Sequence, residues 1–166
     1  MISFTIRRAT PADAATIAAH RVAMFRDMGK VPTEDLGLEL HAASTHMLEQ
    51  LLRTDAYVGW LANTECGRVI AGAGAHIMTQ LPRIAPGGRR IEIAPVPLVV
   101  NVYTEPNFRR RGVSRALMQT VQQWTTESRY DRVVLHASDA GRPLYRALGF
   151  ESSNEMLWIS PGGGSD

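Results

Sequence analysis

Residues 101–118, NVYTEPNFRRRGVSRALM, connect an apolar stretch to an amphipathic one through a turn rich in arginine. The apolar, β-branched and aromatic residues from Leu98 to Thr104 predict a strand. From Gly112 to about Ser128, apolar residues recur at helical spacing and predict a helix with one buried face. The first backbone N–H groups of that helix would have no intrahelical partner and would carry the positive end of its dipole. The turn is therefore a candidate anion site, where a small residue lets a diphosphate approach the backbone.

The rest of the chain alternates between β and α patterns on both sides of this stretch. We predict strands at 2–8, 57–62, 69–78, 132–137 and 156–159, helices from Thr10 to Gly29, 38–53 and 142–148, and a loop over most of 79–97. A strand–helix–strand crossover forces its two strands to be parallel, whereas the hairpin at 57–78 is antiparallel. The order predicts an α/β fold with a mixed, mostly antiparallel central sheet and flanking helices.

Length and composition are those of one globular domain. The chain has 166 residues, with 45% hydrophobic and 20% charged residues, which is enough to bury a substantial core. We expect a single domain over residues 1–160. The glycine-rich segment 161–166 is expected to be a flexible C-terminal tail.

The charge is clustered rather than large. The formal net charge is only +2, but arginines are adjacent at Arg89-Arg90 and again at Arg109–Arg111. Such clusters bind either nucleic acid or a phosphorylated small molecule. A single triple-arginine cluster with few aromatic residues interspersed is a poor match to a nucleic-acid surface, so we expect no nucleic-acid partner.

Cysteine and histidine usage argues against disulfides and metal sites. Cys66 is the single cysteine, and the five histidines are dispersed without an HExxH pair, so we expect no metal. The first residues lack the apolar segment of a signal peptide, and no stretch has the length and hydropathy of a membrane span. We therefore expect a cytoplasmic protein with no membrane partner.

The segment Arg109-Arg-Arg-Gly-Val-Ser114, placed between a strand and a helix, resembles the acetyl-CoA signature of the GNAT superfamily of N-acetyltransferases, R/Q-x-x-G-x-G/A. The resemblance implies a GNAT-like fold that uses acetyl-CoA as co-substrate. Backbone N–H groups from Arg110 to Ser114 would hold the pyrophosphate, and the strand before them would pair with the pantetheine arm. The sequence departs from the signature at Ser114, where the family has Gly or Ala. The resemblance assigns the following residues to cofactor binding: Val102, Tyr103, Thr104, Arg109, Arg110, Arg111, Gly112, Val113, Ser114 and Ser138.

A second segment, Leu144-Tyr-Arg-Ala-Leu-Gly-Phe150, resembles the other GNAT signature, a helix that ends in L-Y-x-x-x-G-F. In that family the tyrosine, here Tyr145, serves as the general acid that protonates the departing CoA thiolate. A thiol has a pKa of about 8.5 and a phenol of about 10, so this transfer is only slightly uphill. The alternative role for Tyr145 is that of a partly buried packing residue. Ser138 stands seven residues earlier, where family members commonly have Asn.

The resemblance predicts transfer of an acetyl group to an amine of a small-molecule or peptide acceptor by direct attack on the thioester. A catalytically inactive acyl-CoA-binding or sensor domain is the alternative, and a homodimer is left open. No general base is identified, although Glu92 and Glu105 are the carboxylates nearest along the chain. A strand bulge near Tyr103 would supply an N–H group to the oxyanion. Arg21 interrupts the apolar face of the first helix, and it either extends toward water or holds a substrate carboxylate.

Overall fold

A computed structural model describes residues 2–85, 87–153 and 155–156 of the chain. They form two compact units that divide between His136 and Ala137. Among the described residues, the first unit contains both sheets and three α-helices, and the second contains one short α-helix.

The central sheet of the first unit has five strands in the order β1-β2-β3-β6-β7. All neighbours are antiparallel except β6 and β7, which are parallel and are connected through a helix. The predicted mixed, mostly antiparallel sheet is thus confirmed. The strands are β1 (Phe4–Arg8), β2 (Tyr57–Thr64), β3 (Val69–Met78), β4 (Arg83–Ile84), β5 (Ile91–Glu92), β6 (Val96–Thr104) and β7 (Val134–Leu135).

The helices of this unit are α1 (Ala14–Asp27), α2 (Glu34–Arg53) and α3 (Val113–Glu127). A capping box between Thr10 and Asp13 precedes α1, as its sequence predicts. Helix α2 begins four residues before the predicted Leu38, because the Thr33 hydroxyl accepts a hydrogen bond from Leu36 N at 3.3 Å and caps the terminus there.

Helices cover both faces of the sheet. Leu61 of β2 packs with Ile17 of α1 and Leu48 of α2 in one buried cluster. The ring of its neighbour Trp60 lies 5.3 Å from the ring of Trp124 on α3. Successive strand residues point to opposite faces, so α1 and α2 lie on one side and α3 on the other.

Most of the segment 79–97 is loop, as predicted, and β4 and β5 form a small separate hairpin within it. One prediction about the sheet needs correction. The strand predicted at 132–137 is limited to β7, which pairs with β6 only at Leu98 and Val99. Pairing stops at Val99 because a bulge at Asn101, two residues further on, bends β6 away from β7.

The second unit contains α4 (Arg142–Ala147), which confirms the predicted short helix. Gly149 has φ +85°, Phe150 N donates to Tyr145 O at 3.0 Å, and Gly149 N donates to Arg146 O at 3.0 Å. This is a Schellman C-cap, as the Gly-Phe pair predicts. Of the strand predicted at 156–159, all but Met156 lies outside the described residues, as does the predicted tail 161–166.

Candidate active site

Strand β6 contains a bulge where the sheet opens. Gly72 pairs with Tyr103 and Gly74 with Val100, so Asn101 and Val102 together face the single residue Ala73 of β3. Asn101 adopts φ +57°, which is rare outside glycine. The extra residue bends β6 and lies two residues before Tyr103, near which the family resemblance places a bulge.

Beyond the bulge, one edge of β6 carries backbone groups that no described strand pairs. Glu105 N donates to Ile70 O at 2.9 Å, so the backbone of Glu105 faces β3. Every second residue of a strand directs its backbone N–H and C=O groups to the same neighbouring strand. The backbone groups of Thr104 and Val102 therefore face the edge opposite β3. β7 reaches this edge only at Leu98 and Val99. At 102–104 no described strand pairs this edge, and Arg109 Nε uses one lone pair of Thr104 O, so the edge is suited to pair with an extended amide-containing ligand.

The turn after β6 has the backbone shape of an anion cradle. Arg110 and Gly112 both have positive φ, +61° and +84°, with one residue between them. Alternation of left-handed residues with others makes successive N–H groups converge on a concave surface. Gly112 precedes α3 without a side-chain cap among the described residues, so the first N–H groups of α3 are left for an external acceptor. The left-handed conformation at Arg110 is the kind of local strain that is found at binding sites.

The arginines of the turn differ in their roles. Arg109 donates from Nε to Thr104 O at 2.9 Å and forms an ion pair with Asp27, so its guanidinium ties the turn to β6 and α1. Arg110 and Arg111 are exposed. The hydroxyl of Ser114 lies 2.8 Å from that of Thr104, which links the helix start to the strand end. Ser114, the residue at which the sequence departs from the family signature, thus has a hydrogen-bond partner on β6.

Asn101 is the centre of a polar cluster on the α1 side of the sheet. Arg21 Nη1 donates to Asn101 Oδ1 at 2.8 Å, and Asn101 Nδ2 donates to the Tyr57 hydroxyl at 3.3 Å. Complete burial raises the pKa of Tyr57 to about 12. Tyr57 fits only because residue 74 is glycine, since a Cβ there would lie 1.9 Å from its hydroxyl.

His20 is a further polar residue at this place, and the sequence did not single it out. It is 7% exposed, its ring lies 5.1 Å from that of Tyr103, and its Nδ1 has no hydrogen-bond partner in the described chain. Burial lowers the pKa of His20. A cavity of about 10 Å³ beside it is lined by His20, Tyr57, Asn101, Ile17, Trp60, Leu61, Gly72 and Ala73. This is room for one water molecule.

The two carboxylates nearest in sequence are both engaged elsewhere. Glu92 is buried, with a carboxylate oxygen 3.2 Å from Arg83 Nε and the other 3.9 Å from Arg132 Nε. Glu105 forms an ion pair with Arg68. Both carboxylates thus have arginine partners, and neither is an unpaired carboxylate that could act as the base. Within the described ranges, no group of three or more His, Cys, Asp or Glu residues could hold a metal ion. No helix in those ranges is both long and apolar enough to span a bilayer.

Tyr145 and Ser138 belong to the second unit. The Tyr145 ring lies 5.9 Å from that of Phe150, edge to face, and burial raises the pKa of its hydroxyl. The Ser138 hydroxyl accepts a hydrogen bond from Gly141 N at 3.2 Å, so it supports the turn into α4.

Comparison with known proteins agrees with this geometry. The model of the acetyltransferase (GNAT) family matches residues 23–150. An aminoglycoside N(6')-acetyltransferase type 1 of Stenotrophomonas maltophilia is 28% identical over 93% of this chain and 91% of its own length. A GCN5-related N-acetyltransferase from Ralstonia eutropha JMP134 superposes with a TM-score of 0.82 at 26% identity, covering 95% of this chain and 99% of the other.

A Clostridium acetobutylicum protein, described as a predicted acetyltransferase and solved with acetyl-CoA, shares the fold with a TM-score of 0.80 at 24% identity. That match covers 95% of this chain and 96% of the other. Since the family model covers well over half of the chain, the chain belongs to the acetyltransferase (GNAT) family and is an acetyl-CoA-dependent N-acetyltransferase.

Proposed function

We propose that this enzyme acetylates a primary amine of a small molecule, with the turn 109–114 as its diphosphate site. The observation that carries the proposal is the continuous path from the open edge of β6 at 102–104 into the turn with two left-handed residues. A pantetheine arm has amide groups that can pair with such an edge, and a diphosphate suits converging N–H groups at a helix start.

The side chains of the turn leave room for this ligand. A Cβ built at Gly112 would meet no atom within 4 Å, so its side of the turn is open. Arg110 and Arg111 supply positive charge, while Arg109 is held by Asp27 and Thr104. We assign phosphate binding to the backbone and to Arg110 and Arg111, and assign Arg109 to holding the turn in shape.

Tyr145 is proposed as the general acid. When the neutral amine attacks the thioester carbonyl, a C–N bond forms, the C–S bond breaks and the nitrogen loses a proton, while the CoA sulfur leaves as a thiolate that needs a proton. The hydroxyl of Tyr145 is protonated at neutral pH, as a donor must be, because a phenol ordinarily has a pKa of about 10 and burial raises the pKa of this one. The assignment rests on its register with Gly149 and Phe150 in the second signature. Ser138, seven residues before it, is proposed to bind CoA through its exposed position ahead of α4.

A second candidate narrows the acceptor to the 6'-amine of an aminoglycoside. The relative from Stenotrophomonas maltophilia, aligned over almost the whole chain, supports it. An aminoglycoside is a polycation at neutral pH, so its site requires carboxylates that are not already neutralised. Two acidic residues beside the α1–α2 turn are paired with arginine, in Arg26–Glu34 and Asp27–Arg109, which weighs against this acceptor.

The proposal is tested by incubating the enzyme with acetyl-CoA and a panel of primary amines while following release of free thiol and the mass of the product. At least one amine should give thiol release equal to N-acetylated product. Binding of CoA with no turnover across the panel would favour the sensor alternative. An aminoglycoside with a 6'-amine and its 6'-hydroxyl counterpart, run side by side, test the second candidate directly.

A further inference from the structure

Arg21 differs from the other arginines of the described chain in its surroundings. It lies on α1, is half-buried, and donates from Nη1 to Asn101 Oδ1 at 2.8 Å at the β6 bulge. Its guanidinium lies 4.8 Å from the ring centre of Phe25. Both partners are neutral, so they orient the guanidinium without compensating its charge.

No carboxylate of the described residues lies within 4.0 Å of Arg21. Nine other arginines have such a partner, and the described arginines without one are otherwise exposed to water. The adjacent Tyr57 hydroxyl is no counter-ion, because its pKa is raised to about 12. Burial lowers the pKa of Arg21, as expected for a charge that is partly removed from water without an anion beside it.

The half-buried guanidinium of Arg21 has more donors than the one that Asn101 uses. A guanidinium has five N–H donors in a rigid fork, and one is used by Asn101. The remaining donors can bind a carboxylate through two parallel hydrogen bonds. Contact with Phe25 and Asn101 fixes the fork in advance, which reduces the entropy lost on binding.

We propose that Arg21 is an anion subsite for the acceptor, and that the acceptor is an amine bearing a carboxylate, such as an amino acid, rather than a polycation. This inference rests on the proposed function, since it places the subsite beside the β6 bulge, near which the family resemblance puts the oxyanion formed from the thioester. A guanidinium that binds the carboxylate would hold the amine at a set distance from the bulge. The same positive charge would repel an aminoglycoside.

The test compares matched amine pairs in three proteins. Each amino acid of a panel is assayed against its carboxamide, with kanamycin as the polycation, in the wild type, Arg21→Met and Arg53→Met. Arg53 is an exposed arginine paired with Glu49 at the end of α2 and serves as the control for loss of one surface charge. The acid should exceed its amide in kcat/KM by about 10- to 100-fold, the range for a charge-assisted hydrogen bond. Arg21→Met should abolish that preference, and Arg53→Met should leave it unchanged.

A binding arm separates failure of the subsite from failure of acetyl transfer. The same pairs are titrated by calorimetry into enzyme saturated with desulfo-CoA, where no transfer can occur. An acid that binds the wild type at least 10-fold more tightly than its amide, with the difference lost in folded Arg21→Met, supports the subsite even if no amine turns over. Equal binding of acid and amide overturns it while leaving transfer intact. Kanamycin turnover that falls in folded Arg21→Met also overturns it, because loss of a charge that repels the polycation should leave that turnover unchanged or raise it.

Discussion

Replacing Gly112 by alanine is the sharpest test of the phosphate site. The backbone there has φ +84°, and a Cβ would meet no protein atom within 4 Å, so the substitution causes no internal clash. Two effects remain. An L-residue in the left-handed region costs about 1–2 kcal/mol. The methyl group also narrows the concave side of the turn from which a diphosphate would approach.

Gly67 offers a matched control for the first effect. It lies in the β2–β3 turn with φ +82°, and a Cβ there also meets nothing within 4 Å. Gly67→Ala and Gly112→Ala should therefore lose similar stability, roughly 2–8 °C in Tm for a chain of this size. Only Gly112→Ala should also lose CoA affinity. Loss of one charge-assisted hydrogen bond, about 1.5 kcal/mol or more, corresponds to at least about a tenfold rise in Kd.

The assay is calorimetric titration of CoA into the wild type and both variants, with Tm measured on the same samples. Unchanged CoA affinity in Gly112→Ala, together with a Tm like that of Gly67→Ala, would refute the assignment of the turn. Equal loss of affinity in both variants would mean that general destabilisation, and not the turn, controls binding.

Three further predictions follow from individual residues. Changing Arg110 and Arg111 together to Gln should weaken CoA binding and make the dependence of Kd on salt shallower, which titrations at several ionic strengths would measure. Tyr145→Phe should lower kcat about 10²–10⁴-fold with little change in KM for acetyl-CoA, and a near-native kcat would return Tyr145 to a packing role. The ion pair and hydrogen bonds from Arg7 lower the pKa of Asp13 from 3.8 to about 2. Because the folded-state pKa is the lower one, this stabilisation is present above about pH 4 and is lost as the pH falls toward 2. In Asp13→Asn, the free energy of unfolding measured in urea should depend less on pH over that range than in the wild type. An equal pH dependence in the two proteins would contradict the pKa shift of Asp13.

The sequence predicted most of the fold because its signals were local. The capping box at Thr10, the helix after Gly112 and the C-cap at Gly149 each depend on residues within about one helical turn of each other. The strand–turn–helix at 98–128 was recognised for the same reason. Boundaries failed where a tertiary feature overrode the local preference, as at β7, which is short because β6 turns away from it at the bulge.

The polar cluster around Asn101 could be found only in the tertiary structure. Arg21 meets Asn101 across 80 positions, Tyr57 meets Asn101 across 44, and Arg109 meets Asp27 across 82. These contacts depend on the register between strands and on one extra residue at Asn101. A shift of one residue in a strand moves every side chain to the other face, so no local pattern specifies which distant residues will meet. Thus the sequence alone predicted the fold class, and it is the source of the proposals for the turn at 109–114 as phosphate site and for Tyr145 as acid. Only the folded chain placed an uncompensated guanidinium beside the strand bulge.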